Sequence, residues 1–161
     1  LLITPLSSLE LSLSFIIGGT VRGFVNGILI LFICMMAGME IQDPLSTIFI
    51  IFIVSWSFSS LGLFIGQMSD SWDQLALIQN FVLTPLSFLG GIFYSVKMLP
   101  EWGLAISKIN PVFYTINSLR YATLGVSDAP FISSMFFVVL FSLLLTVLAV
   151  KTMESGKKIR F

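Results

Sequence analysis

Asp70 and Asp73 stand three residues apart, a spacing general acid–base chemistry could use if the pair were buried beside a second catalytic group. No such group is nearby, and the surrounding sequence reads as a short solvated loop. The chain has no His and a single Cys, Cys34, inside an apolar run. A Cys/His metal site and a disulfide within one chain are therefore both excluded. Cys34 reads as a small packing residue. Ser155-Gly156-Lys157-Lys158 lacks the upstream Gly and the closing Ser or Thr of a phosphate-binding loop. The chain is expected to be no enzyme and to hold no cofactor or metal. What remains is a set of isolated polar residues in apolar surroundings. Arg22 interrupts an apolar run, and Asn117 and Arg120 lie three apart, on one face of a helix. Charges placed so usually serve a function.

Those surroundings decide the class of protein. Apolar residues make up 57% of the 161 and charged residues 10%, with a mean hydropathy of +1.03. A soluble domain carries about 25% charged residues. So few charges cannot cover a water-facing surface, and lipid must be the solvent for most of the chain. The net charge is zero, so composition calls for no nucleic-acid partner. The chain opens on Leu1-Leu2, with no Met, charged n-region or cleavage site. It is expected to lack its N-terminal part.

Crossing a bilayer core of roughly 30 Å takes about 20 apolar residues in a helix. Four stretches qualify, at about 11–39, 45–68, 75–96 and 131–150. The predicted fold is an all-α integral membrane domain of four transmembrane helices, residues 1–161 forming one unit. Lys151, Lys157, Lys158 and Arg160 follow the last span and place the C-terminus in the cytoplasm. Threading backwards puts 97–130 and 40–43 outside, and 70–74 inside. Lys97, Lys108 and Arg120 in the outer segment oppose that orientation mildly.

Residues 97–130 are too apolar for a free loop and too interrupted for a crossing. Pro100 suits the first turn of a short helix over 101–109. Asn110-Pro111 breaks it, a second helix covers 112–124, and Gly125 ends that one. This pair of short helices is expected to dip into the membrane from outside, as a re-entrant segment between the third and fourth spans. Such backbone survives only in protein or beside a wet cavity. Tyr114, Asn117 and Arg120 then line a substrate gate, or Arg120 snorkels at the interface. Arg22 has two readings as well: an inner headgroup position, or a place on an internal polar path. Pro85 is expected to kink the third span before Gly90-Gly91, as a hinge or a packing notch. Gly19, Gly23 and Gly27, and then Gly62 and Gly66, have the four-residue spacing of close helix contacts, within one chain or between two.

The stretch Asn80-Phe81-Val82-Leu83-Thr84-Pro85-Leu86-Ser87-Phe88-Leu89-Gly90-Gly91-Ile92-Phe93-Tyr94-Ser95 resembles the fifth span of ABC-2-type permeases. These include bacterial exporters of polysaccharides, nodulation factors and drugs. Leu99-Pro100, then Ile109-Asn110-Pro111-Val112-Phe113-Tyr114, Leu119-Arg120-Tyr121 and Leu124-Gly125 resemble the family's last external segment, two short helices dipping into the outer leaflet. Gly18-Gly19-Thr20-Val21-Arg22-Gly23 resembles the start of the third span. Leu1-Leu2-Ile3-Thr4-Pro5-Leu6-Ser7 resembles the end of the cytoplasmic coupling helix. Thr4, Pro5 and Leu6 thereby become candidates for contact with an ATPase, and Arg22, Pro85, Tyr114, Asn117 and Arg120 candidates for the substrate path or gate. Family permeases have six crossings, so two are expected to be missing here. The resemblance implies a permease subunit of an ATP-driven exporter in the bacterial inner membrane, surrounded by lipid. Its partners would be an ATP-binding cassette subunit, which binds the ATP, and a second permease copy. A gradient-driven carrier is the alternative. Such carriers often place acids mid-membrane, whereas every Asp and Glu here lies at or beyond a span end.

Overall fold

The structure is a computed structural model and describes residues 7–155. Thr4, Pro5 and Leu6, and the basic residues after 155, lie outside the described residues. Within them the chain is helical throughout, without strands.

Helix α1 (Ser8–Met36) opens on a capping box. The Ser7 hydroxyl accepts from the Glu10 N–H (3.3 Å), and the Ser7 N–H donates to the Glu10 carboxylate (2.8 Å). Gly38, at φ +92°, turns the chain after it. Helix α2 (Pro44–Met68) starts on Asp43, whose carboxylate accepts from the Ser46 N–H at 3.1 Å, with Pro44 in the first turn. Helix α7 (Phe131–Glu154) completes a set of three, each long and apolar enough to cross a membrane.

The three are joined by small residues and hydroxyls, as apolar helices must be where lipid is as apolar as their side chains. Gly19, Gly23 and Gly27 face α2 of the same chain. A Cβ on Gly23 would stand 3.1 Å from Ser55, while Cβ atoms on Gly19 and Gly27 would run into Ser59 and Ile51. The Ser59 hydroxyl donates across the interface to the Ile16 carbonyl (2.8 Å). Between α2 and α7, the Trp56 indole N–H donates to the Thr146 hydroxyl (2.9 Å), which also meets Ser60 (3.1 Å). Gly62 and Gly66 have no neighbour within 4 Å of a built Cβ and make no close contact.

Between α2 and α7 the chain is interrupted. Helix α3 (Trp72–Ile78) runs into a π-helical stretch (Gln79–Leu83) and then α4 (Thr84–Leu89). Pro85 explains the stretch: without an N–H it leaves the carbonyl four residues back unpaired, and its ring needs room. One widened turn supplies that room. The Thr84 N–H and its hydroxyl (3.0 Å) both donate to the Gln79 carbonyl. The helix ends at Leu89 rather than running on towards Val96, because Gly91 adopts φ +82° and reverses the chain. A short 3₁₀ turn (Val96–Met98) leads to α5 (Glu101–Ile109) and α6 (Pro111–Leu124).

Helix α6 lies beside the N-terminal half of α2, antiparallel to it. At one end the N–H groups of Gln42 and Asp43 donate to the carbonyls of Thr123 (3.1 Å) and Ala122 (3.0 Å). At the other, Pro111 and Val112 share the wall of an apolar cavity of about 170 Å³ with Phe58 and Leu61 of α2 and Phe141 of α7. The 37–43 connection and the C-terminal end of α6 are thus on the same side of the bundle.

Candidate functional site

The polar residues of α6 converge on the broken end of α4. A helix that stops at Leu89 leaves terminal carbonyls short of donors, and in apolar surroundings they must be satisfied; the N–H groups of Gly90 and Gly91 take those of Leu86 (2.8 Å) and Phe88 (3.0 Å). The short helices add the rest, including a second donor at Leu86. The Ser107 hydroxyl donates to the Leu89 carbonyl (2.8 Å). The Asn110 amide donates to the Leu86 carbonyl, while its oxygen caps α6 by accepting from the Val112 N–H (3.0 Å). Asn110 is buried. The Asn-Pro pair therefore ends one helix, starts the next and ties both to a third.

Arg120 completes the arrangement. Its guanidinium donates to the carbonyls of Gly91 and Tyr94 in the turn after α4, and to the Asp128 carboxylate at 3.0 Å. Asp128, 5% exposed, also accepts from the Ser95 hydroxyl and the Val96 N–H (3.0 Å). Asn117 holds the loop that carries Asp128. Its oxygen accepts from the N–H groups of Asp128 (2.7 Å) and Ala129 (3.2 Å). Its amide donates to the Ala129 carbonyl (3.0 Å) and to Ser134 of α7 (2.9 Å). Lys97 adds a bond to the Ser127 carbonyl at 3.3 Å. The result is a polar knot joining the end of α4, α6 and the start of α7.

Asn117 and Arg120, paired by sequence spacing, are thus brought together around a third residue, Asp128. Asp128 is not among the residues that the sequence singles out. Its signal was there: an acid eight residues after the arginine, across a glycine turn. In this conformation the Arg120 guanidinium makes three bonds to protein acceptors, on Asp128, Gly91 and Tyr94. Tyr114 sits at the other end of α6, stacked on Phe137 of α7 (4.2 Å between ring centroids), with its hydroxyl donating to the Lys108 carbonyl (2.7 Å). Pro85 is exposed, beside an open groove lined by Gln79, Thr84, Ser87 and Phe93.

Arg22 lies elsewhere, near the middle of α1. The register of α1 on α2 sets residue 19 against 59, 23 against 55 and 27 against 51. Arg22 is therefore level with Trp56, which stands midway along α2. It is exposed, and no ion pair reaches it among the described residues. An arginine at the centre of a crossing helix costs about 2.5–3.5 kcal/mol on insertion scales, so lipid is a poor neighbour for it. No group of three or more His, Cys, Asp and Glu able to hold a metal occurs among the described residues.

Comparison with known proteins agrees with this architecture. The profile of the family described as "ABC-2 type transporter" matches residues 1–124. The inner membrane transport permease YadH of Escherichia coli (strain K12) is 29% identical over 161 residues, 99% of this chain and 63% of the relative. Nodulation protein J of Rhizobium leguminosarum bv. viciae is 32% identical over 76 residues, 47% of this chain and 29% of the relative. That of Neorhizobium galegae is 30% identical over 84 residues, 52% of this chain and 32% of the relative. The chain thus spans 63% of the YadH permease it matches. No solved structure matches it. With three apolar helices of crossing length, the chain is membrane-embedded.

Proposed function

Because the chain belongs to the ABC-2 type transporter family, we propose that it forms part of the permease of an ATP-driven exporter in a bacterial inner membrane. A separate ATP-binding cassette subunit binds and hydrolyses the nucleotide, and a second permease copy completes the path. The observation that carries this reading is the family match, which takes in both the interrupted helix and the α5–α6 pair.

In this reading the interrupted helix is the fourth crossing, and α5 with α6 is a re-entrant segment on the outer side. The shared side of the 37–43 connection and the α6 C-terminus supports that topology, with the C-terminus cytoplasmic. The residues at Thr4, Pro5 and Leu6 receive the push of the ATPase. The interrupted helix passes it to the outer half, where the π-helical turn and Pro85 allow bending. The knot of Asn117, Arg120 and Asp128 transmits that bend to α6 and α7, so the gate opens as a unit and Tyr114 moves with it.

Affinity purification of the protein from its native membrane tests the reading. The expected result is co-purification of an ATP-binding subunit, lost when Pro5 and Leu6 are both changed to Asp. An intact protein that brings down no such subunit would contradict it and favour a gradient-driven carrier.

A further inference from the structure

The interrupted helix packs on α5 and α6, but between it and the frame lies the apolar cavity of about 170 Å³. Ile78, Val82 and Leu86 form one wall, and Phe58, Leu61 and Ile65 of α2 form another. At 1.5 Å per residue each wall runs roughly 10 Å along its helix, so the space is a slot. Its floor is the first turn of α6, where Val112 is 7% exposed and Thr115 5%. Phe58 and Val82 are both exposed, and they mark its mouth. No charged side chain lines the slot. The Thr115 hydroxyl is the one polar side-chain group there, and it donates to the Val112 carbonyl (2.7 Å).

Water has too little to bind in such a space. A buried water takes about 2–4 polar partners, and an apolar cavity of about 150 Å³ stays dry and takes up small apolar molecules instead. An empty slot would forfeit the dispersion contacts of every atom that lines it. Depth identifies what fills it. Helix α2 has 25 residues, a length of about 37 Å against a bilayer core of roughly 30 Å. With α2 centred in the core, Phe58 to Ile65 lie in hydrocarbon, in the leaflet on the Met68 side. We propose that the slot takes one acyl chain of a bilayer lipid from that leaflet. A run of methylenes matches a neutral, elongated wall that offers no free hydrogen-bonding group. A single protein side chain would fill only part of the length. The inserted chain keeps the stretch from Ile78 to Leu86 off α2 and α7, so this side of the interrupted helix rests on lipid. The proposal needs only a membrane-embedded chain, and not the transport reading.

The test places the full-length protein in phosphatidylcholine vesicles, with a small share of the lipid carrying a diazirine near the methyl end of one acyl chain. Light expels dinitrogen, the carbene inserts into the nearest C–H or O–H bond, and mass spectrometry maps the adducts. Leu144 of α7, 53% exposed, is the control for lipid that only lines the surface. The expected result is adducts on Val112 and Thr115 as well as on Leu144. Leu61→Trp fills the slot and should cut the adducts on Val112 and Thr115 about tenfold, because a filled space takes no second occupant. Leu144 should label as before. Adducts on Leu144 without any on Val112 or Thr115 would overturn the proposal, since protein would then fill or close the slot. Adducts on Val112 and Thr115 that survive Leu61→Trp would overturn it too, because the chain would reach them by another route. Ile65→Phe fills the other end of the slot and is read in the same way if Leu61→Trp does not insert. The wild-type map decides the matter if neither variant does.

Discussion

At the scale of single residues, the chemistry of this protein is backbone repair. Stopping a helix at Leu89 exposes carbonyls that lipid cannot satisfy. Ser107 takes up the Leu89 carbonyl, Asn110 gives the Leu86 carbonyl a second donor beside the Gly90 N–H, Arg120 pairs the carbonyls of the turn that follows, and Asp128 balances the arginine. Removing one partner of a buried pair strands the other, at a cost of about 3–5 kcal/mol. Asp128→Ala should therefore lower the thermal unfolding midpoint in detergent clearly. Arg120→Ala, which strands the 5% exposed carboxylate and also frees the Gly91 and Tyr94 carbonyls, should cost more than Asp128→Ala, which strands an arginine that is 20% exposed. The double variant should cost less than the two added together. Additive losses would show that the two residues act separately. Asn110→Ala should lose both its bond to Leu86 and the cap on α6, about 1–2 kcal/mol or more by the same assay. A cost within a few tenths would remove it from the account.

At the scale of elements, close approach between α1 and α2 depends on three glycines, and the partner is within the chain. Gly27→Leu must push against Ile51, an overpacking cost of about 1–3 kcal/mol. Gly62→Leu meets nothing and should stay within about 0.5 kcal/mol. Equal losses at the two positions, read as unfolding midpoints, would contradict the register. That register also sets Arg22 level with Trp56 of α2. The spacing of these glycines was legible in the sequence, but which helix they face was not, because spacing alone does not name a partner. Pro85 announced a disturbance of its helix, and its form, a single π-helical turn closed on the Gln79 carbonyl, followed from Thr84 just before it. The three uninterrupted spans were plain from apolar runs between charges and caps. The knot was not, since two of Arg120's acceptors are carbonyls at Gly91 and Tyr94 that only the folded turn brings near.

At the scale of the whole molecule, three crossing helices form a frame, and the interrupted helix and the α5–α6 pair are fastened to one side of it by polar groups. The frame is held by small residues and hydroxyls, and the part beside it by the polar knot. The central claim is that an ATP-binding subunit acts on the permease through the segment before α1. Its most direct test is a photo-activatable residue in place of Leu6, with the protein in its native membrane and the adduct identified by mass spectrometry. The account predicts an adduct with an ATP-binding cassette subunit whose yield changes when nucleotide is added. Adducts with lipid alone, from a protein that is intact and inserted, would contradict it.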